Sequence, residues 1–191
     1  MTTDRGPTLL AIARGAIAEE LGLKEPLFEA ARWLQEPGAT FVTLHLNGQL
    51  RGCIGSLSAK KPLREDVADN ARAAAFHDSR FKPLSRGEFD RIDLEVSLLS
   101  PLEPIHVESQ AELLTRLHPG VDGVLVEYGA RRGVFLPQVW DQLPDPKTFL
   151  AHLNQKAGLR PDFWADGIRF ARFTVIKWQE EKAVECRGSR P

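Results

Sequence analysis

The dipeptide Asn47-Gly48 constrains the fold more than any other feature of this chain. Residues 41–46, FVTLHL, are rich in β-branched and aromatic side chains, and residues 49–55, QLRGCIG, follow the dipeptide. Asn-Gly between two such runs is the strongest short-range hairpin signal, because both residues of a two-residue turn take positive φ. A loop of this kind pairs Leu46 with Gln49, Leu44 with Arg51 and Val42 with Cys53. It puts Thr43 and His45 on the opposite face from Cys53, which argues against His45 as a base for that thiol. Arg51 and Cys53, two apart, share a face. Gly52 and Gly55 weaken a strand, so they mark a bulge or a point where something approaches the backbone closely.

Cys53 has two readings. Free cysteine is among the most buried residue types, so it can be a small core hydrophobe. It can also be a nucleophile. A thiol needs a cation or a line of N–H dipoles to become a thiolate, and Arg51 and the amides of Gly52, Ile54 and Gly55 are close in sequence. A second cluster lies at residues 78–83, DSRFKP. There Asp78 and Arg80 can pair across a tight turn, and Phe81 can anchor that turn in the core. The structural reading is a salt bridge. The functional reading is that Arg80 and Arg51 offer forked donors to an anionic or carbonyl ligand beside Cys53. His77 could serve as a base, although a lone histidine is usually a surface residue.

Residues 50–58, LRGCIG followed by SLS, resemble the signature of the AMMECR domain family, whose prokaryotic members are called AmmeMemoRadiSam system protein A. D-S-R-F-x-P at residues 78–83, FLPQV at 135–139 and Lys156-Ala157-Gly158 are similar to further pieces of the family pattern, in the same order. The resemblance implies a two-lobed α+β fold over about residues 7–180. The larger lobe would hold about 7–101 plus 161–180 and the smaller about 102–160, with a ligand-binding cleft between them. It also implies a shared pathway with a Memo-like protein and a radical SAM protein, without naming a reaction or a cofactor. Cys53 is then the candidate catalytic residue, and Arg51, Gly52, Ile54, Gly55, Asp78, Arg80 and Phe81 are the candidate ligand-binding set.

At 191 residues the chain suits one domain, or one domain of two lobes. Its 25 basic and 26 acidic residues leave a net charge of −1, so no global field attracts nucleic acid or anionic lipid. Two cysteines, Cys53 and Cys186, make no disulfide framework. Cys186 lies in a polar tail and reads as an exposed bystander. A reducing cytoplasm fits that usage. The first ten residues lack the pattern of a secretory signal, and no run of about 18 apolar residues suggests a membrane span. No zinc spacing, P-loop, Rossmann fingerprint or G-x-S-x-G occurs.

The remaining pattern is α+β with mostly antiparallel sheet and flanking helices. Helices are expected over residues 7–21, closed by Gly22; from Pro26 to Pro37-Gly38; and from Pro62 to about Phe76. The third buries Leu63, Val67, Asn70, Ala71 and Ala74, with Asn70 tied to nearby backbone. Ser85-x-x-Glu88 and Ser109-x-x-Glu112 are capping boxes. Residues 91–99 alternate as a half-exposed strand whose Asp93, Glu95 and Ser97 form a solvated face. Residues 100–104 read as a linker. A hairpin follows, with residues 129–132 as its loop, then a helix capped by Asp145 and opened by Pro146. The final expectation is one strand over 168–178, made mildly basic by Arg169, Arg172 and Lys177. RNA binding through these residues is the weakest of the functional readings. A non-enzymatic protein that binds a peptide, nucleotide or protein partner, with the motif serving structure, stands as the alternative to an enzyme.

Overall fold

A computed structural model describes residues 4–24 and 31–180 of the chain. The elements are α1 (Gly6–Glu20), β1 (Pro37–Gly38), β2 (Thr40–Leu46), β3 (Gln49–Gly55), β4 (Lys61–Pro62), α2 (Leu63–Arg72), α3 (Arg86–Phe89) and β5 (Ile92–Leu99). They continue with β6 (Glu103–Ile105), α4 (Gln110–Arg116), β7 (Gly123–Tyr128), β8 (Arg131–Phe135), α5 (Pro146–Lys156), β9 (Arg169–Phe173) and β10 (Val175–Gln179). Two antiparallel-paired four-stranded sheets with flanking helices make this an α+β fold. The chain divides into two compact units, residues 99–175 and the remainder on either side of them. Among the described residues no helix is long and apolar enough to cross a membrane.

In the first unit the sheet runs β10-β5-β2-β3, so β3 is an edge strand. Val42 and Leu44 of β2 and Leu94 and Val96 of β5 face a core completed by Leu9, Ala13 and Ile17 of α1 and Val67 and Ala71 of α2. These residues recur at the 3.6 period in the helices and the 2.0 period in the strands, so each element presents one apolar face. Asp66 is buried in this layer. It accepts from Thr40 N–H (2.8 Å) and Thr40 Oγ1 (2.7 Å), Asn70 Nδ2 (3.0 Å) and Ser56 Oγ (2.5 Å). Asn70 also donates to the Thr40 carbonyl at 3.0 Å, the backbone tie expected of it. The second unit carries the sheet β6-β9-β7-β8. Its core gathers Leu113 of α4, Phe149, Leu150 and Leu153 of α5, and Trp140, which stacks on Phe149 at 3.7 Å between centroids.

Several expectations need correction. Asn47 and Gly48 do take positive φ, +54° and +79°, but the hairpin register slips after two pairs. Leu46 faces Gln49 and His45 faces Leu50, then Leu44 faces Gly52 and Thr43 faces Cys53. Arg51 is the extra residue of a β-bulge, which turns every later side chain of β3 to the other face. The third helix leaves α geometry at Ala73, and residues Ala73–His77 form a π turn. The expected last strand is two strands in two different sheets, with Arg169 and Arg172 on β9 and Lys177 on β10. Each of these cations pairs with a carboxylate, Glu127, Glu103 and Glu95 respectively, so they form no continuous basic stripe. Pro37-Gly38 is a short bridge to Lys61-Pro62, and the β7–β8 loop is only Gly129-Ala130. The helix expected from Pro26 lies partly outside the described residues, and its described end is a 3₁₀ turn, Arg32–Gln35. Cys186 also lies outside them. Phe81 is only half-buried, while Leu84 anchors that loop in the core. Ser97 is buried, and the Glu95 side chain is only 12% exposed, so the polar side of β5 is not a solvated face.

The Asp66 cluster yields a direct expectation. Asp66→Ala strands donors from β2, α2 and Ser56, and loses about 3 kcal/mol, the scale of several hydrogen bonds to one charged acceptor. Urea unfolding followed by circular dichroism should show a lower midpoint at unchanged slope. A shift under about 0.5 kcal/mol, the scale of a surface substitution, would contradict this account.

Candidate functional site

The candidate residues gather on the free edge of β3. In an antiparallel ladder, alternate residues turn their N–H and C=O outward. At Cys53 both groups face away from β2. Its N–H donates to Asp78 Oδ2 at 2.9 Å, and its carbonyl accepts from Arg80 Nη2 at 3.3 Å. Asp78 and Arg80 are themselves joined, Nε to Oδ1 at 2.9 Å and Nη2 to Oδ2 at 2.7 Å. One residue pair thus takes the place of a neighbouring strand. The Asp78 side chain is 3% exposed, whereas that of Arg80 is 53% exposed. The guanidinium holds the Asp78 carboxyl well below the usual carboxylate range, against the opposing effect of burial, and the Cys53 and Arg80 N–H groups add to it. Arg80 is shifted upward by the same hydrogen bond.

Asp78 reaches the edge because of the π turn before it. The wider turn presents the Ala74 carbonyl to β3 and frees the Ala75 carbonyl to accept from Leu84 N–H at 2.8 Å. A Cβ on Gly52 would lie 2.1 Å from the Ala74 carbonyl oxygen, so only glycine fits there. A Cβ on Gly55 would sit 2.3 Å from the Phe41 ring. Neither glycine has positive φ, so close approach explains both. Gly52 N–H and Ile54 N–H point toward β2, and the Cys53 amide is held by Asp78. These donors are engaged inside the protein.

Arg51 is also engaged. Nε and Nη2 donate to the two oxygens of Glu88 at 3.0 and 3.3 Å, and Nη2 donates to the Lys82 carbonyl at 2.8 Å. Its Nη1 is buried without a partner among the described residues. Glu88 closes the capping box with Ser85, accepting from its N–H and its Oγ at 2.9 Å each. Arg51, with help from the Ser85 N–H and against burial, draws the Glu88 carboxyl down to about 2. The guanidinium carbons of Arg51 and Arg80 lie 5.8 and 5.4 Å from the Phe81 ring centroid, within cation–π range. Ile54 packs against the core.

The thiol itself is placed differently. Cys53 is half-buried and lies opposite Thr43, whose Oγ1 donates to Sγ at 3.3 Å. Thr43 in turn pairs with Glu95, and Glu95 with Lys177 Nζ at 3.2 Å. A polar row therefore crosses the sheet from Cys53. His45, paired with Asp93, sits on the same face two residues from Thr43, and its Nδ1 is buried without a partner among the described residues. No described hydrogen bond joins His45 to the sulfur. Among the described residues no three His, Cys, Asp or Glu side chains are placed to hold a metal ion together.

The model of the AMMECR1 family matches residues 10–178. The chain belongs to the AMMECR1 family. A protein of Sulfurisphaera tokodaii is 43% identical over 194 residues, covering 93% of this chain and 83% of its own length. One from Methanothermobacter thermautotrophicus is 42% identical over 187 residues, covering 95% and 97%. Among solved structures, the uncharacterized protein PH0010 from Pyrococcus horikoshii superposes with a TM-score of 0.82 at 35% identity, covering 95% of this chain and 94% of that one. In this AMMECR1 chain the first two motifs meet as strand and edge cap, Asp78 and Arg80 bonding the Cys53 backbone.

Reading the residues alone put Thr43 and His45 on the opposite face from Cys53 and Glu95 on a solvated face, and missed the second role of Glu88. Gly52 carried the usable signal, since a bulge at that point shifts the register and brings Cys53 to the side of Thr43 and His45. Two experiments test this construction. Gly52→Ala drives a Cβ into backbone, and should destabilise by about 3 kcal/mol, the upper range for overpacking. Gly87→Ala, in open space on α3, should be neutral or slightly stabilising in the same urea titration. Equal effects would refute the close-approach account. For Glu88, a folded value near 2 against an ordinary 4.5 means stability that is complete above the unfolded value and lost as pH falls through the folded one. The stability difference between the native chain and Glu88→Gln should hold above about pH 5 and shrink toward about pH 2. A difference constant across that window would contradict the Arg51–Glu88 assignment.

Proposed function

We propose that the Cys53 sulfur is the working atom of this protein, in an enzyme acting on a small anionic or carbonyl-bearing substrate. The observation behind this is the face on which the thiol lies. Gly52 and Ile54 turn to the core, while the bulge at Arg51 turns Cys53 to the polar row of Thr43 and Glu95. A cysteine retained for packing would belong on the core side. Here the strand at Cys53 is instead pinned through its N–H and C=O, which holds the sulfur in one place, as an active nucleophile requires. Arg80, half-exposed and beside the Cys53 carbonyl, is the cation that remains available to a substrate anion. Arg51 positions the 78–88 loop. In the reaction the thiol proton would pass to solvent, Sγ would bond to the electrophilic carbon, and the carbonyl electron pair would move to oxygen.

One observation favours a second reading, a binding or adaptor protein in which the motif serves structure. Arg51 is closed on both sides by Glu88 and the Lys82 carbonyl, and is 11% exposed. Under that reading Cys53→Ala leaves ligand affinity unchanged, whereas under the first it abolishes turnover. A cytoplasmic location and a pathway shared with Memo-like and radical SAM proteins belong to the proposal too. They rest on the family resemblance and on the need of a free thiol for a reducing compartment.

The test is alkylation by iodoacetamide in a Cys186→Ser background, where Cys53 is the sole thiol. The native protein should react directly, with a rate proportional to reagent concentration, and Thr43→Val should change that rate. Modification that occurs only as fast as the protein unfolds would end the proposal.

A further inference from the structure

The second unit contains a cavity that none of the motif residues touches. About 300 Å³ in volume, it is lined by Pro104, Ile105, Thr115, Arg116, His118 and Arg172. The charged side chains in this lining are Arg116 and Arg172, with His118 as a titratable third, and among the described residues no carboxylate lines it. Arg172 Nη1 lies 3.4 Å from His118 Nδ1, so two of the three groups converge from β9 and the end of α4. The His118 ring is oriented by Asp122, 4% exposed, whose Oδ2 lies 3.1 Å from Nδ1 and 2.9 Å from the His118 N–H.

Each arginine has one carboxylate partner outside the lining, Glu112 for Arg116 at 2.5 Å and Glu103 for Arg172 at 3.2 Å. These pairs leave donors to spare, because a guanidinium carries five N–H groups and a carboxylate engages two at most. The Arg116 and Glu103 side chains are more than half exposed, and exposed pairs of this kind are weak. A second cavity of about 620 Å³ shares Pro104, Ile105 and Arg116 with the first. Its walls combine Ile105, Val107, Ile168 and Phe170 with charges of both signs, Arg169 against Glu108 and Glu112. The two together offer a cationic end and a mixed, partly apolar continuation.

We propose that these joined cavities bind a small organic phosphate monoester. The phosphate would sit among Arg116, Arg172 and His118, the Thr115 hydroxyl being already donated to the Glu112 carbonyl at 2.7 Å, and its organic group would lie toward Ile168 and Phe170. A phosphate presents oxygens in three directions, which suits donors arriving from two elements, whereas a single carboxylate is satisfied by one fork. The site is independent of the Cys53 assignment.

Phenyl phosphate is the probe, titrated by calorimetry and by backbone amide shifts, with inorganic phosphate and benzoate as comparisons. Phenyl phosphate should bind more tightly than either comparison, and less tightly as salt rises. Arg116→Gln and Arg172→Gln should each weaken it by about tenfold, the scale of one charge-assisted contact. Arg80→Gln should not change it, and the shifts should centre on residues 115–118 and 168–172. Benzoate binding as tightly as phenyl phosphate, undiminished affinity in both glutamine variants with native circular dichroism, or shifts centred elsewhere would each overturn the assignment.

Discussion

The Asp78–Arg80 pair at the free edge of β3 is the contact on which the motif region depends. An edge strand leaves N–H and C=O groups unpaired, and these invite another chain. Here the carboxylate accepts what the next strand's carbonyl would accept, and the guanidinium donates what its N–H would donate. The pair is asymmetric in burial, with the acid covered and the base half in water. Removing the acid from a fully buried pair would cost about 3–5 kcal/mol, and the exposure of Arg80 argues for the lower end. The same contact fixes the π turn against the strand, since Asp78 follows it directly. The absence of a side chain at Gly52 lets the two backbones approach.

What could be read from the sequence was local. The Asn-Gly turn, the Ser85 and Asp145 caps, the glycine after α1 and the alternation of β5 are each decided by residues within a turn or two of one another. The bulge, the π turn and the division of residues 168–178 between two sheets depend on partners far along the chain. Gly52 shows the limit well. Its presence signalled a bulge or a close approach, but the neighbour that makes glycine necessary is the Ala74 carbonyl, more than twenty residues away. Without that neighbour the register of the hairpin stays undecided, and with it the face on which Cys53 lies.

The candidate site was legible as a set of residues and less so as a set of roles. The salt bridge expected between Asp78 and Arg80 is present, whereas the fork that Arg51 was to offer to a ligand is closed by Glu88. Glu88 was visible only as the end of a capping box, a role that engages Oε2 alone and leaves Oε1, with the remaining capacity of Oε2, for Arg51. Thr43 and His45 were set aside by a register that holds for two pairs and then fails. In each case a single-strand rule was right locally and was overridden by a longer-range contact.

Accounting for these internal partners narrows what a ligand can reach. Gly52 is explained by Ala74, Gly55 by Phe41, Ile54 by the core, Arg51 by Glu88, and the backbone of Cys53 by Asp78 and Arg80. The sulfur and the exposed part of Arg80 remain. A motif that engages nearly every member in positioning one sulfur is more constrained than packing demands, because a packed thiol tolerates small shifts and could occupy any gap in the core. The cavity around Arg116 and Arg172 has the opposite character: its cations are loosely paired and its lining carries no motif residue. Positional rigidity suits bond making at one atom, and loosely held donors suit exchange of a charged ligand, which is why the two proposals assign these places different chemistry.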